Sequence, residues 1–270
     1  MAEALQKLAG TDGTTLAYRQ YGEGPRLITC LHSLALDGSW YAPLAEALGK
    51  EYRLLALDFR GHGSSTHGDY APTLGLVAQD IAAMWDAENV ESSVILGISL
   101  GGMVAQAVTG SFPDRVDAQI LMATRGAYDD AATRGTLARA AEVRSPNGLE
   151  RAEEMTMHRW FGDKSQNAAD PLVRQARAQF LRAGGSTIAE YFEAMTQVGA
   201  FHTDSPPPTL VVGGKNDRST PRAAIEQLAA SIAGAELRFA KGGHLVAFEN
   251  PQEVAATVRP FLDSLDCWTR

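Results

Sequence analysis

Apolar residues in this chain fall into short continuous runs separated by longer periodic stretches. Arg26-Leu27-Ile28-Thr29-Cys30-Leu31, Arg53-Leu54-Leu55-Ala56-Leu57, Ser93-Val94-Ile95-Leu96-Gly97, Ala118-Gln119-Ile120-Leu121-Met122 and Thr209-Leu210-Val211-Val212 have strand length and no clean polar alternation. That pattern predicts strands covered on both faces. Between and after them, helical spacing predicts helices near 40–49, 74–88, Leu100 to about Phe112, 221–232 and 251–265, with a further strand at 235–240. Strand and helix in alternation imply a mostly parallel sheet with right-handed crossovers. Two short strands around 5–10 and 15–21 precede this series. They are joined by Thr11-Asp12-Gly13-Thr14, closed by Gly22-Glu23-Gly24-Pro25, and read as an edge hairpin.

Residues 125–204 break the alternation. They carry Arg/Ala/Glu-rich helical segments, no strong strand, and scattered large apolar residues: Met155, Met157, Trp160, Phe161, Phe180, Tyr191, Phe192 and Met195. The expected organisation is an α/β core of residues 1–124 and 205–270 with a helical insertion at 125–204. Pro206-Pro207-Pro208 ends the insertion, since proline cannot continue a helix.

Composition narrows the function classes. With 270 residues, 45% hydrophobic and 21% charged, the chain is long enough for one large core and too apolar for disorder. The 32 acids against 24 bases include no dense basic block, so the counterion release that drives nucleic-acid binding has no source. The start, MAEALQKLAGTDG, lacks a basic segment followed by an apolar run, and no stretch of about 18 apolar residues occurs. A cytoplasmic protein without a membrane partner is expected. Cys30 sits in a strand-like run and Cys267 in the tail, so a disulfide is not expected. The sequence leaves homo-oligomer formation open.

The chemistry concentrates at Gly97-Ile98-Ser99-Leu100-Gly101-Gly102, a G-x-S-x-G pattern where a buried strand meets a small-residue helix. So tight a turn strains Ser99 and lifts its hydroxyl clear of the sheet, while the helix start supplies N–H groups for an oxyanion. A serine hydroxyl needs a base, and the base needs a group to fix its tautomer. Asp217 follows the strand at 209–212, and His244 follows the strand at 235–240 through Gly242-Gly243. Both therefore fall at the carboxyl edge of the sheet, where ligands and catalytic groups gather. Asp204, Asp129 and Asp130 compete for the acid role. No H-E-x-x-H, Cys/His cluster, calcium loop or dinucleotide fingerprint is present, so neither metal nor cofactor is assigned.

Over nearly its whole length the chain resembles the α/β-hydrolase fold family. Leu31-His32-Ser33-Leu34 lies where that family has a His-Gly pair, and Asp58-Phe59-Arg60-Gly61-His62-Gly63-Ser64-Ser65 resembles its D-x-R-G-x-G-x-S loop. Gly243-His244 followed by Glu249-Asn250-Pro251 resembles its C-terminal histidine loop. The resemblance implies an open, mostly parallel sheet with helices on both faces, a helical lid, and an oxyanion hole from the N–H groups of Leu34 and Leu100. Ser33 departs from the usual glycine. Gly97–Met103 and the Ser33-Leu34 variation are similar to 3-oxoadipate enol-lactonases and carboxylesterases.

The expected activity is cleavage of a small ester or lactone through an acyl-Ser99, with His244 as base and Asp217 orienting it. Carbon–carbon bond hydrolysis and cofactor-free perhydrolysis would use the same three residues, and a ligand-binding receptor could retain the fold. Expected substrate contacts are Trp160 and Phe161 of the lid, Leu36, Trp40 and Met103 beneath, and Arg125 for a carboxylate. His32 is expected to prop the oxyanion loop and His62 to be structural, with His158 and His202 ordinary lid residues.

Overall fold

The computed structural model describes residues 3–10 and 12–269. Eight strands form one sheet: β1 (Glu3–Ala9), β2 (Thr15–Tyr21), β3 (Arg26–Leu31), β4 (Tyr52–Asp58), β5 (Ser93–Ile98), β6 (Val116–Met122), β7 (Thr209–Gly214) and β8 (Glu236–Ala240), in the order β1-β2-β4-β3-β5-β6-β7-β8. All pairings from β4 to β8 are parallel, whereas β1 and β2 pair antiparallel at one edge. Every residue of β5 and β7 is buried, which is why these runs show no polar alternation: both sheet faces are covered. β8, at the other edge, is only buried at its end. Of the predicted hairpin turn, Thr11 lies outside the described residues; Gly10 N–H donates to Thr14 O at 2.6 Å and starts β2.

The covering helices are α1 (Ala42–Leu48), α2 (Leu74–Ala87) and α3 (Leu100–Ser111), then, after β7, α8 (Arg222–Ser231), α9 (Val246–Glu249) and α10 (Pro251–Asp263). Thr73 caps α2 through its hydroxyl, and Pro251 opens α10 where a missing N–H costs nothing. Between β6 and β7 come four more helices: α4 (Asp130–Val143), α5 (Gly148–Phe161), α6 (Pro171–Ala183) and α7 (Gly185–Met195). They stop short of the three prolines. Pro208 immediately precedes β7, and its O accepts from Gln119 N–H at 2.9 Å. Among the described residues no helix is long and apolar enough to cross a membrane.

Polar bonds tie the inserted helices to the core. Gln179 of α6 accepts from the Trp40 indole N–H at 2.6 Å and donates to Asp37 at 2.6 Å. His67, in the loop after β4, meets Glu190 of α7 at 2.6 Å. Burial alone would lower His67's pKa, but the Gly68 carbonyl and the Glu190 carboxylate outweigh it and raise the pKa above its ordinary value. A raised histidine pKa favours the bonded state below the unfolded value of about 6.5 and loses that support as pH rises. Amide exchange of α7, corrected for intrinsic rate, should therefore quicken as pH rises above about 6.5. Glu190→Gln should abolish this pH dependence, and an identical profile in the variant would refute the link.

Candidate active site

β5 ends at Ile98 and α3 begins at Leu100, so Ser99 alone makes the turn. It sits at φ 55°, ψ −116°, a conformation disfavoured for a residue with a Cβ. Surrounding bonds hold it there: Ser99 N–H donates to Met122 O at 2.9 Å, and Ser99 O accepts from the Thr124 hydroxyl at 2.8 Å. Glycines permit the close approach, because a Cβ at Gly97 would strike the Gly101 backbone and one at Gly101 would strike the Leu31 carbonyl. Replacing Ser99 by glycine should release this strain and raise stability by about 1 kcal/mol, readable from the urea midpoint. A lower midpoint would show that the hydroxyl's own bond outweighs the strain.

The turn after β7 and the loop after β8 are bonded to each other. Lys215 N–H donates to Ala240 O at 3.0 Å and Asn216 N–H to Gly242 O at 2.9 Å. This pairing brings Asp217 and His244, 27 positions apart, into contact: His244 Nδ1 lies 3.0 and 3.1 Å from the two Asp217 oxygens. His244 Nε2 lies 2.9 Å from Ser99 Oγ. Asp217 Oδ1 also accepts from the N–H groups of Ser219 and Thr220, at 2.7 and 2.9 Å. With Nδ1–H donated to this carboxylate, the Nε2 lone pair faces the hydroxyl and can take its proton. The Trp160 ring stacks on His244 at 6.2 Å between centroids.

The competing acids lie elsewhere. Asp204 is fully exposed and pairs with His202, Asp129 caps α4, and Asp130 sits in the first turn of that helix. Glu249, whose role no local sequence signal marks, accepts from Gly243 N–H at 3.2 Å and so braces the loop that carries His244. Burial is the main reason its pKa is raised.

Among the described residues neither Leu34 N–H nor Leu100 N–H has a hydrogen-bond acceptor, and Leu34 shares a cavity wall with Ser99. Two buried histidines shape the Leu34 loop. His32 accepts from Phe59 N–H at 2.9 Å through Nε2 and donates through Nδ1 to Ser33 O at 2.7 Å. His62 Nε2 accepts from Ala35 N–H at 2.9 Å, where Ala35 takes a left-handed φ of 64°. Burial pushes both imidazoles down, His62 to about 3, so both are neutral acceptors near pH 7. Among the described residues the buried Ser33 hydroxyl has no hydrogen-bond partner.

A cavity of about 370 Å³ opens over Ser99 and His244, walled by α4, α5 and α7 as well as the core. Trp160, Met103 and Arg125 line it; Leu36, Trp40 and Phe161 are buried but are not among its walls. Trp40 is instead tilted against Phe248, 5.4 Å away, with its N–H on Gln179. Arg139 and Arg159 also line the cavity; in the sequence they are indistinguishable from the other members of the Arg/Ala/Glu-rich helical periodicity.

Known proteins share this framework. The chain is 26% identical to 3-oxoadipate enol-lactonase 1 of Acinetobacter baylyi, over 96% of its own length and 97% of the relative's. A hydrolase from Pseudomonas aeruginosa PA01 superposes with a TM-score of 0.85 at 29% identity, covering 96% of this chain and 98% of the other. The enol-lactonase from Burkholderia xenovorans LB400 gives 0.85 at 25% identity, covering 96% and 100%. With the Alpha/beta hydrolase family model matching from residue 30 to residue 257, a span that takes in Ser99, Asp217 and His244 alike, the chain belongs to that family.

Proposed function

We propose that this protein hydrolyses a carboxylic ester or lactone through an acyl-Ser99 intermediate. The observation that carries the reading is the unbroken hydrogen-bonded series from Asp217 through His244 to Ser99, beside two N–H groups without acceptors. The hydrolase and enol-lactonase relatives support the same class.

In this scheme Ser99 Oγ attacks the carbonyl carbon while its proton passes to His244 Nε2. The carbonyl oxygen, now an anion, is held by Leu34 N–H and Leu100 N–H, the second at the positive end of α3. Collapse breaks the acyl–oxygen bond, and the leaving alkoxide or enolate takes the proton from Nε2. Water then gives a proton to Nε2 and its hydroxide to the acyl carbon, and a second collapse returns the proton to Ser99. Asp217 stabilises the imidazolium each time it forms. Trp160, lying against His244, shields the imidazole from solvent on that side.

The test is hydrolysis of short activated esters and small lactones by the native protein and by Ser99→Ala, with folding matched by circular dichroism. Multiple turnovers that fall by roughly 10⁶ in the variant are expected. Equal rates in the two proteins would remove Ser99 from the chemistry. Cleavage of a vinylogous diketone but of no ester would move the reading to carbon–carbon bond hydrolysis.

A further inference from the structure

The chain carries a net charge of −8, yet the cavity over Ser99 is walled by four arginines, Arg125, Arg139, Arg159 and Arg218, and by no aspartate or glutamate. Arg218 reaches Asp163 at 3.4 Å, on the exposed side. Among the described residues the other three have no carboxylate partner. Three acids of the inserted segment are committed elsewhere: Glu142 to Arg151, Glu193 to Arg144, and Asp163 to Arg218.

Two of these three guanidiniums are held by neutral contacts. Arg125 lies over the Tyr128 ring at 4.6 Å, and Arg139 over the Phe192 ring at 4.7 Å with a bond to the Thr136 hydroxyl at 3.1 Å. A ring face fixes the plane of a guanidinium while leaving its N–H edge open. Burial, followed by the charge of Arg159 and then, after an opposing effect of Tyr128, that of Arg125, pushes Arg139 down to about 10. These like charges therefore interact with one another. Gathering uncompensated cations in a half-buried cavity opposes folding, and an anionic ligand would reverse that repulsion. One carboxylate is matched bidentately by one arginine, so a cluster of three is built for more than a single negative charge.

Resting on the hydrolase reading, we propose that the acyl part of the substrate carries two negative charges, as two carboxylates or one phosphate-type group, seated against Arg125, Arg139 and Arg159. The cavity then selects substrates through KM, and the selection weakens with salt.

Two measurements test this separately from the chemistry. The first compares kcat/KM for dimethyl adipate, monomethyl adipate, monomethyl tricarballylate and methyl 3-phosphonopropionate at pH 8. The two dianions should lead the neutral diester by about 100-fold, and Arg139→Gln and Arg159→Gln should each cut that preference by about tenfold. Arg139→Lys should keep part of it. Arg134→Gln, an exposed α4 position outside the cavity walls, should change nothing. Whichever dianion is preferred tells carboxylate from phosphate. The second measures binding of free tricarballylate and 3-phosphonopropionate to Ser99→Ala by calorimetry. Neutral esters cleaved as well as the dianions, with neither acid bound, would overturn the anion proposal and leave the hydrolase reading standing. Arginine-dependent binding of the acids with no ester cleaved would do the reverse, and neither binding nor cleavage would overturn both.

Discussion

Asp217→Asn should leave the fold intact and lower kcat by about 10⁴. The reason lies in how the carboxylate is held. Asp217 Oδ1 accepts from Ser219 and Thr220 N–H, so the carbonyl oxygen of an asparagine would stay at that position and its NH₂ would occupy the Oδ2 site. Oδ2 is the oxygen 3.0 Å from His244 Nδ1. An amide donating there favours the tautomer with Nδ1 unprotonated and the proton on Nε2, which faces Ser99 and can no longer accept its proton. The loss should appear in kcat rather than KM, since nothing that walls the cavity changes. Steady-state kinetics on the best ester, with Ser99→Ala marking the floor, checks the expectation. A fall of less than tenfold would mean that Asp217 does not set the tautomer.

Much of this site could be read from the sequence because its parts are local. A turn of one residue between a buried strand and a helix demands glycines at fixed offsets, so Gly97, Ser99 and Gly101 declare the turn themselves. Asp217 and His244 each sit just past a strand, and a parallel sheet delivers the ends of neighbouring strands β7 and β8 to one edge. The sheet was legible for a similar reason: continuous apolar runs with turn signals between them have few other readings.

The cavity walls were not legible, because they depend on which face each inserted helix turns inward. Trp40 has the size and the neighbourhood of a substrate contact, yet its N–H is taken by Gln179, 139 positions away, and nothing local announces that partner. Arg139 and Arg159 look like ordinary members of Arg-rich helices. Only the pairing of Glu142, Glu193 and Asp163 with other arginines shows that these two are left over. The role of His62 was equally hidden: its place among glycines marks a turn, while its bond to Ala35 N–H comes from packing two loops 27 residues apart.

The second large effect should come from a residue that touches no substrate. Replacing Arg60 by methionine is expected to lower stability by about 3–5 kcal/mol, measured as the shift in urea unfolding at pH 7. Its guanidinium is fully buried, with bonds of 2.8 and 2.9 Å to Asp80 and 2.8 Å to Asp12. Burial pushes the Asp80 pKa up even beside Arg60, so without the guanidinium that carboxyl must take a proton or remain an unpaired buried charge. Asp12 responds in the opposite sense. The Thr14 hydroxyl and Arg60 hold its pKa well below the usual range, so its contribution is present above about pH 4 and lost as pH falls. The acid-side loss of stability should accordingly be shallower in Arg60→Met than in the native protein. The double variant Arg60→Met/Asp80→Asn should recover part of the deficit, since it no longer strands a charge. The damage should also reach the active site, because Arg60 O accepts from Tyr191 Oη of α7 at 3.0 Å and lies 3.2 Å from His62 Nδ1. His62 in turn holds Ala35 beside Leu34, so a displaced Arg60 backbone loosens the loop that carries Leu34 into the cavity wall, and kcat should fall even under conditions where the variant is fully folded. A stability loss under about 1 kcal/mol with unchanged kcat would show that water replaces the guanidinium at no cost and that the loop holds its shape without it.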